Sequence, residues 1–301
     1  MISEKLIQGQ LISVLVAATG VINAQLFAQY NVSLPLFANM LMYIILFSFN
    51  FALYASDRDV VKKPFNILYA FTAFADVHGN ILSVLAFRFT SITSVMLLDC
   101  TTIPCVMILS YCLLKTTYSR LQICSVCICG FGILLVIYSD HENSVGTSLT
   151  GDLLAVAAAI CYAVSNVSQE MMVKKYNRVE YLMMLGLYGG IISCIEFFIF
   201  EFEHFFVDGV WLIAAYVVVL FTIYNVVSMF LMHHDAALLN LSLLTSDVWS
   251  LLAGVFLFHQ VLSWMYIVGF LGMLVGIVGF IEWEEVSPLE EFEEQLLDEV
   301  P

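Results

Sequence analysis

Hydrophobic runs of roughly 20 residues, separated by short polar turns, constrain this chain more than any other feature. Ten can be counted, at 6–28, 34–55, 65–87, 91–114, 120–139, 151–173, 180–200, 210–232, 237–258 and 262–281. A helix needs about 20 apolar residues to cross the hydrocarbon core of a bilayer. Inside lipid, a spanning backbone must satisfy its own polar groups, as a helix does. Composition agrees: 61% of residues are hydrophobic, 12% are charged, and mean hydropathy is +0.95. Soluble domains lie nearer 45–50% apolar and about 25% charged. The expected fold is all-α and integral to the lipid bilayer, with ten transmembrane helices.

Orientation follows from the basic residues. Lys5, Arg58, Lys62, Lys63, Lys115, Arg120, Lys174, Lys175 and Arg178 fall on one side of the alternating spans, and only Arg88 falls on the other. Lys and Arg concentrate on the cytoplasmic side, so both termini are expected there. The net charge of −15 is less informative, because nine of the 25 acids lie after Ile281, where 283–301 reads as a solvated acidic cytoplasmic tail. Residues 179–301 contain no Lys or Arg, and nothing resembles a nucleic-acid surface. The eight cysteines all sit in apolar runs, where Cys behaves as a small hydrophobe. Cys124, Cys127 and Cys129 have no His or acid nearby, so they read as packing residues rather than a metal cluster. No metal and no cofactor are expected.

The longest interior loop, Asp140 to Thr150, divides the spans five and five. A five-span unit repeated once must insert its second copy upside down, as in inverted-repeat transporters. The expected organisation is therefore 1–145 as the first five-helix repeat and 146–282 as the second. Span ten carries Gly269, Gly272, Gly276 and Gly279 on one face, a spacing that lets helices approach closely. That face is expected to pack within the chain, with a homodimer interface as its other use.

Several polar residues lie deep within these spans. Asp76, Asp99 and Asp247 fall near the middle of spans three, four and nine. A carboxylate at the bilayer centre costs about 2.5–3.5 kcal/mol on insertion scales, which favours a functional use. Pro104 cannot donate, so the carbonyl of Cys100 is expected to lack its helical partner beside Asp99. His78, two residues from Asp76, is a candidate proton relay on a different face. Asn166 and Glu170 share a face, with Glu170 pairing to Lys174. Asn225 is placed to face Asp76 across a cavity, and Glu196 is expected at the outer interface. The candidate binding or coupling set is Asp76, His78, Asn80, Asp99, Thr101, Asn166, Asn225, Thr245 and Asp247.

These residues carry a resemblance. Ala75-Asp76-Val77 with Asn80, then Thr93-Ser94-Val95 with Leu97-Leu98-Asp99-Cys100 and Ile103-Pro104, resemble solute carrier family 35, subfamily F, within the drug/metabolite transporter superfamily. Gly151-Asp152, Tyr162-Ala163, Ser165-Asn166-Val167, Val173-Lys174-Lys175 and Leu244-Thr245 with Asp247 continue the likeness. The resemblance implies ten helices in two inverted repeats around a central cavity, working by alternating access. His78 stands where the family leads one to expect an acid, and Leu85 where an Arg is common.

The leading expectation is a secondary transporter of a small polar organic solute, neutral or cationic, of nucleoside- or nucleobase-like or amine character. Proton coupling through the midplane carboxylates is expected with it. A nucleotide-sugar exchanger is the alternative, but a diphosphate calls for cavity Arg or Lys that the second half lacks. An intramembrane aspartyl enzyme would need two facing aspartates, yet Asp247 lies in Leu-Thr-Ser-Asp without a Gly-x-Gly-Asp turn. The reading is not an enzyme. A non-transporting scaffold or receptor using the acidic tail is the third class. The sequence leaves the choice between plasma membrane and endomembrane open.

Overall fold

The structure is a computed structural model that describes residues 2–30, 35–56, 67–89, 95, 98–140, 149–202, 209–246, 248–249, 252 and 264–282. Among them every regular element is helical. The helices are α1 (Ile2–Tyr30), α2 (Pro35–Ser56), α3 (Ile67–Phe89), α4 (Thr102–Leu113) and α5 (Arg120–Asp140) in the first half. The second half contributes α6 (Leu149–Lys175), α7 (Arg178–Phe200), α8 (Val210–His233), α9 (Ala236–Leu243) and α10 (Trp264–Glu282). Six of them, α1, α2, α3, α6, α7 and α8, are long and apolar enough to cross a membrane.

Local chemistry accounts for several of the helix ends. Asn177 caps α7 by accepting from Val179 N at 2.7 Å, and Asp235 caps α9 by accepting from Leu238 N at 2.7 Å. Pro35 opens α2, where its missing N–H is no loss. The next two amides, Leu36 N and Phe37 N, donate to the Glu201 carboxylate at 3.0 and 2.9 Å. Gly209 precedes α8 at φ +75°, a left-handed conformation that suits Gly.

The run expected as one span at 91–114 is broken. The chain turns at Cys100–Thr101 and restarts as α4, only 12 residues long. Pro104 falls in the first turn of α4, where a helix tolerates it. The expected orphan carbonyl at Cys100 is not found: it accepts from Ile103 N at 3.2 Å, because the chain tightens to i→i+3 bonding ahead of the proline. Helix α9 is also short, at eight residues, and meets a turn at Leu244.

The helices pack in pairs. The most intimate are α2 with α7, α5 with α10, and α3 with α6, followed by α1 with α8. Helix α3 also meets α7 as α8 meets α2, and α4 meets α6 as α9 meets α1. Exchanging the first five helices for the second five maps these pairings onto one another. Glycines set the closest approaches. A Cβ on Gly186 would lie 2.8 Å from Phe47 Cα, and one on Gly132 would lie 2.7 Å from the Gly269 carbonyl oxygen. The glycine face of α10 is thus packed against α5: Gly272 lies over Gly132, and Gly276 lies over Cys129 and Ser125.

Candidate functional site

Two polar stripes arise from helical periodicity. Asp76, Asn80 and Ser83 on α3 stand at i, i+4 and i+7, and Tyr162, Asn166 and Gln169 on α6 have the same spacing. That spacing puts each trio on one face. Because α3 and α6 pack together, the stripes meet along a central cavity of about 400 Å³. Val16 and Thr19 of α1, Tyr216 and Tyr224 of α8, Thr102 of α4 and Asn240 of α9 complete much of its wall.

Asp76 is the most connected group in the wall. Its Oδ2 accepts from the hydroxyls of Tyr43 and Tyr224, both at 2.5 Å, and its Oδ1 accepts from Ser165 Oγ at 2.9 Å. The two tyrosine oxygens are 3.2 Å apart, and their rings meet edge to face at 5.9 Å. One carboxylate therefore joins α2, α3, α6 and α8, and ionised it is acceptor-only, so three hydroxyl donors suit it. Asn80 Oδ1 accepts from Tyr162 at 3.0 Å, and Asn166 Nδ2 donates to Asn240 Oδ1 at 3.0 Å.

Asp99 is different. It lines the cavity as an exposed side chain, and the Thr102 hydroxyl stands 3.5 Å from it. An acceptor so lightly held is available to a donor entering the cavity. Among the described residues, no Lys or Arg lines this space.

The remaining expected site residues divide. Asp76, Asn80, Asp99 and Asn166 come together at the cavity. The Thr101 hydroxyl bonds back within the chain, donating to Leu98 O at 2.6 Å. The Asn225 amide donates back to Phe221 O at 2.9 Å, and its neighbour Tyr224 is the residue that meets Asp76. Thr245 donates to Ser242 O at 2.7 Å and to Gln10 Oε1 at 3.1 Å, on the side of α1. His78 faces α7, with Nε2 3.7 Å from Glu196 Oε1. Glu196 is buried beside that ring, four residues from the end of α7. Asp247 lies outside the described residues. Glu170 does pair with Lys174, at 2.6 Å, and its other oxygen accepts from Ala236 N at 2.8 Å, tying α6 to the start of α9. Tyr43, Ser165, Tyr162 and Asn240 were not among the candidates. The paired i, i+4, i+7 stripes carried the signal for Tyr162, and an Asn within the apolar run of α9 carried it for Asn240.

A sequence model described as solute carrier family 35, subfamily F, matches residues 2–282. The chain is 33% identical over 286 residues to solute carrier family 35 member F2 of Mus musculus, covering 90% of this chain and 76% of that protein. It is 30% identical to the member F2 protein of Xenopus tropicalis, covering 90% and 74%. It is 32% identical to an uncharacterized solute carrier family 35 member of Schizosaccharomyces pombe, spanning 56% of that protein's length. A solved crystal structure aligns with a TM-score of 0.76 over 95% of this chain and all of the other, at 14% identity, a likeness of fold alone. On these matches and its apolar helices, the chain belongs to solute carrier family 35, subfamily F, a family of multi-pass integral membrane solute transporters.

Proposed function

We propose that this protein is a secondary transporter carrying a small polar organic solute, neutral or cationic, by alternating access around the α3–α6 cavity. The observation that carries the reading is the wall itself. Asp99 is exposed to the cavity, amides and hydroxyls surround it, and among the described residues no cationic side chain lines the space. The cavity volume of about 400 Å³ falls within the range of roughly 300–1,000 Å³ usual for small-molecule sites. Charge-assisted hydrogen bonds to a carboxylate suit amines and donor-rich heterocycles, including nucleoside-like compounds. A nucleotide sugar brings a diphosphate, which would meet acceptors here. The Asp99 carboxylate is also the group proposed to exchange a proton in the cycle.

The exchange pattern of helix pairings supports two inverted five-helix repeats, and with them ten spans. With both termini cytoplasmic, Thr19, Ser83 and Tyr216 lie toward the outer ends of α1, α3 and α8. Polar contacts close the cytoplasmic half: Glu170 to Ala236, Tyr69 to Glu180 at 3.0 Å, and Ser13 to Ser242 at 2.5 Å. We read this as the outward-open state.

Counterflow into liposomes containing the purified protein, with a panel of labelled polar metabolites, tests the proposal. Saturable uptake of a neutral or cationic donor-bearing solute is expected, with no response to nucleotide sugars against their monophosphates. Robust nucleotide-sugar exchange would reverse the charge argument.

A further inference from the structure

The cavity makes no use of His78 and Glu196, which meet on another side of α3. His78 lies two residues beyond Asp76, about 200° around the helix, and faces α7. Its ring stacks on Phe74 with centroids 3.8 Å apart, and its Nδ1 is 2.9 Å from the Phe74 carbonyl oxygen. A carbonyl oxygen only accepts, so Nδ1 carries the hydrogen. In the neutral ring, Nε2 is then a lone-pair acceptor. That nitrogen stands 3.7 Å from Glu196 Oε1, another acceptor when the carboxyl is ionised. Two acceptors facing each other in a low-dielectric seam repel unless a proton resides on one of them. The second Glu196 oxygen, Oε2, is buried with no hydrogen-bond partner, and the residue is 9% exposed. The Oε2 of an ionised carboxylate in that setting has no hydrogen-bond donor among the described residues, and His78 is the titratable side chain beside its Oε1.

We infer that His78 and Glu196 form an intramembrane proton-binding site, separate from the solute cavity. One proton from the aqueous phase is held on Nε2, as an imidazolium beside a carboxylate, or on Glu196, beside a neutral ring. Its departure leaves a negative oxygen against a lone pair and pushes α3 from α7 at this level. Helix α3 carries Asp76 on a different face, so the same rigid element links proton loading to the hydroxyl cluster in the cavity wall.

The neighbouring helices bring no competing partner among the described residues. Asp76 is held by Tyr43, Tyr224 and Ser165, and Glu201 caps α2. Glu180 accepts from Tyr69, and Glu170 pairs with Lys174. Asp152 stands in the first turn of α6, and His233 lies in the last turn of α8. Helix α2 has no Asp, Glu, His, Lys or Arg.

The test is infrared difference spectroscopy of the purified full-length protein in lipid, titrated from alkaline to acidic buffer without added solute. The contributions of the two residues are isolated by subtracting His78→Gln and Glu196→Gln spectra from the wild type. In wild type, the His78 ring band and the Glu196 carboxyl band are expected to change in one common step. In Glu196→Gln the His78 band moves to a different pH, and in His78→Gln the carboxyl band does. Bands that follow the same course with and without the partner overturn the inference. Because no solute is present, failure of the transport reading leaves this test intact. Two variants and the wild-type common step keep it decisive should one variant fold poorly.

Discussion

Tyr224 places its hydroxyl 2.5 Å from Asp76, while the amide of Asn225, one residue on, returns to the carbonyl of Phe221 on its own helix. Losing the tyrosine oxygen strips one donor from a carboxylate held inside the protein. Such a loss costs about 1–3 kcal/mol. Tyr224→Phe should therefore lower the thermal unfolding midpoint in detergent clearly, and Asn225→Ala much less. If the two variants melt alike, the tyrosine bond to Asp76 carries no weight. The contrast also marks what the sequence could tell. Counting residues into a hydrophobic run gives depth, and Asp76, Asn80, Asp99 and Asn166 lie at the depth of the cavity that they line. Neighbours at the same depth differ by about 100° around the helix, and which face turns inward depends on packing. That is why depth alone does not foretell that Asn225 and Thr101 bond back within their own segments while Tyr43 and Ser165 reach Asp76.

Helix pairs in this protein are set by small residues, because lipid gives apolar faces little reason to associate and close backbone contact replaces that drive. A Cβ at Gly276 would lie 2.8 Å from the Ser125 carbonyl oxygen and collide with Cys129 Sγ. A Cβ at Gly130 on α5 would meet nothing within 4 Å. Gly276→Ala should then destabilise by about 1–3 kcal/mol through overpacking. Gly130→Ala should be neutral or gain up to about 1 kcal/mol from helix propensity. Thermal midpoints of the two single variants decide the matter, and equal values would mean that α5 and α10 are free to separate. The glycine spacing was legible as a close-contact face, but spacing names no partner. The structure supplies α5, so a second copy would have to use another face. The break ahead of α4 was legible in Pro104, although the proline ended up inside the first turn instead of freeing a carbonyl.

At the scale of the whole molecule, charge and packing point the same way. Nine of ten basic residues fall on one side of the alternating runs, and moving Lys or Arg across the hydrocarbon core is costly. A five-helix unit that begins inside must end outside, so its repeat starts from the opposite face. The exchange of pairings between halves, α3–α6 for α8–α1 and α3–α7 for α8–α2, is what two such units packed about a pseudo-twofold axis would produce. Alternation of the loops is therefore what the repeat depends on, and absolute orientation is what the outward-open reading depends on. Single cysteines at Ser33, Asn143 and Asp208, in a background with exposed native cysteines replaced, should react with an impermeant reagent from outside intact cells. Cysteines at Lys62 and Asn177 should react only after permeabilisation. If Ser33 and Lys62 label together from one side, the first loops do not alternate and the five-plus-five arrangement fails. If the whole pattern inverts, the repeat survives, but the Glu170–Ala236 and Tyr69–Glu180 contacts become the outer closure and the cavity opens to the cytoplasm.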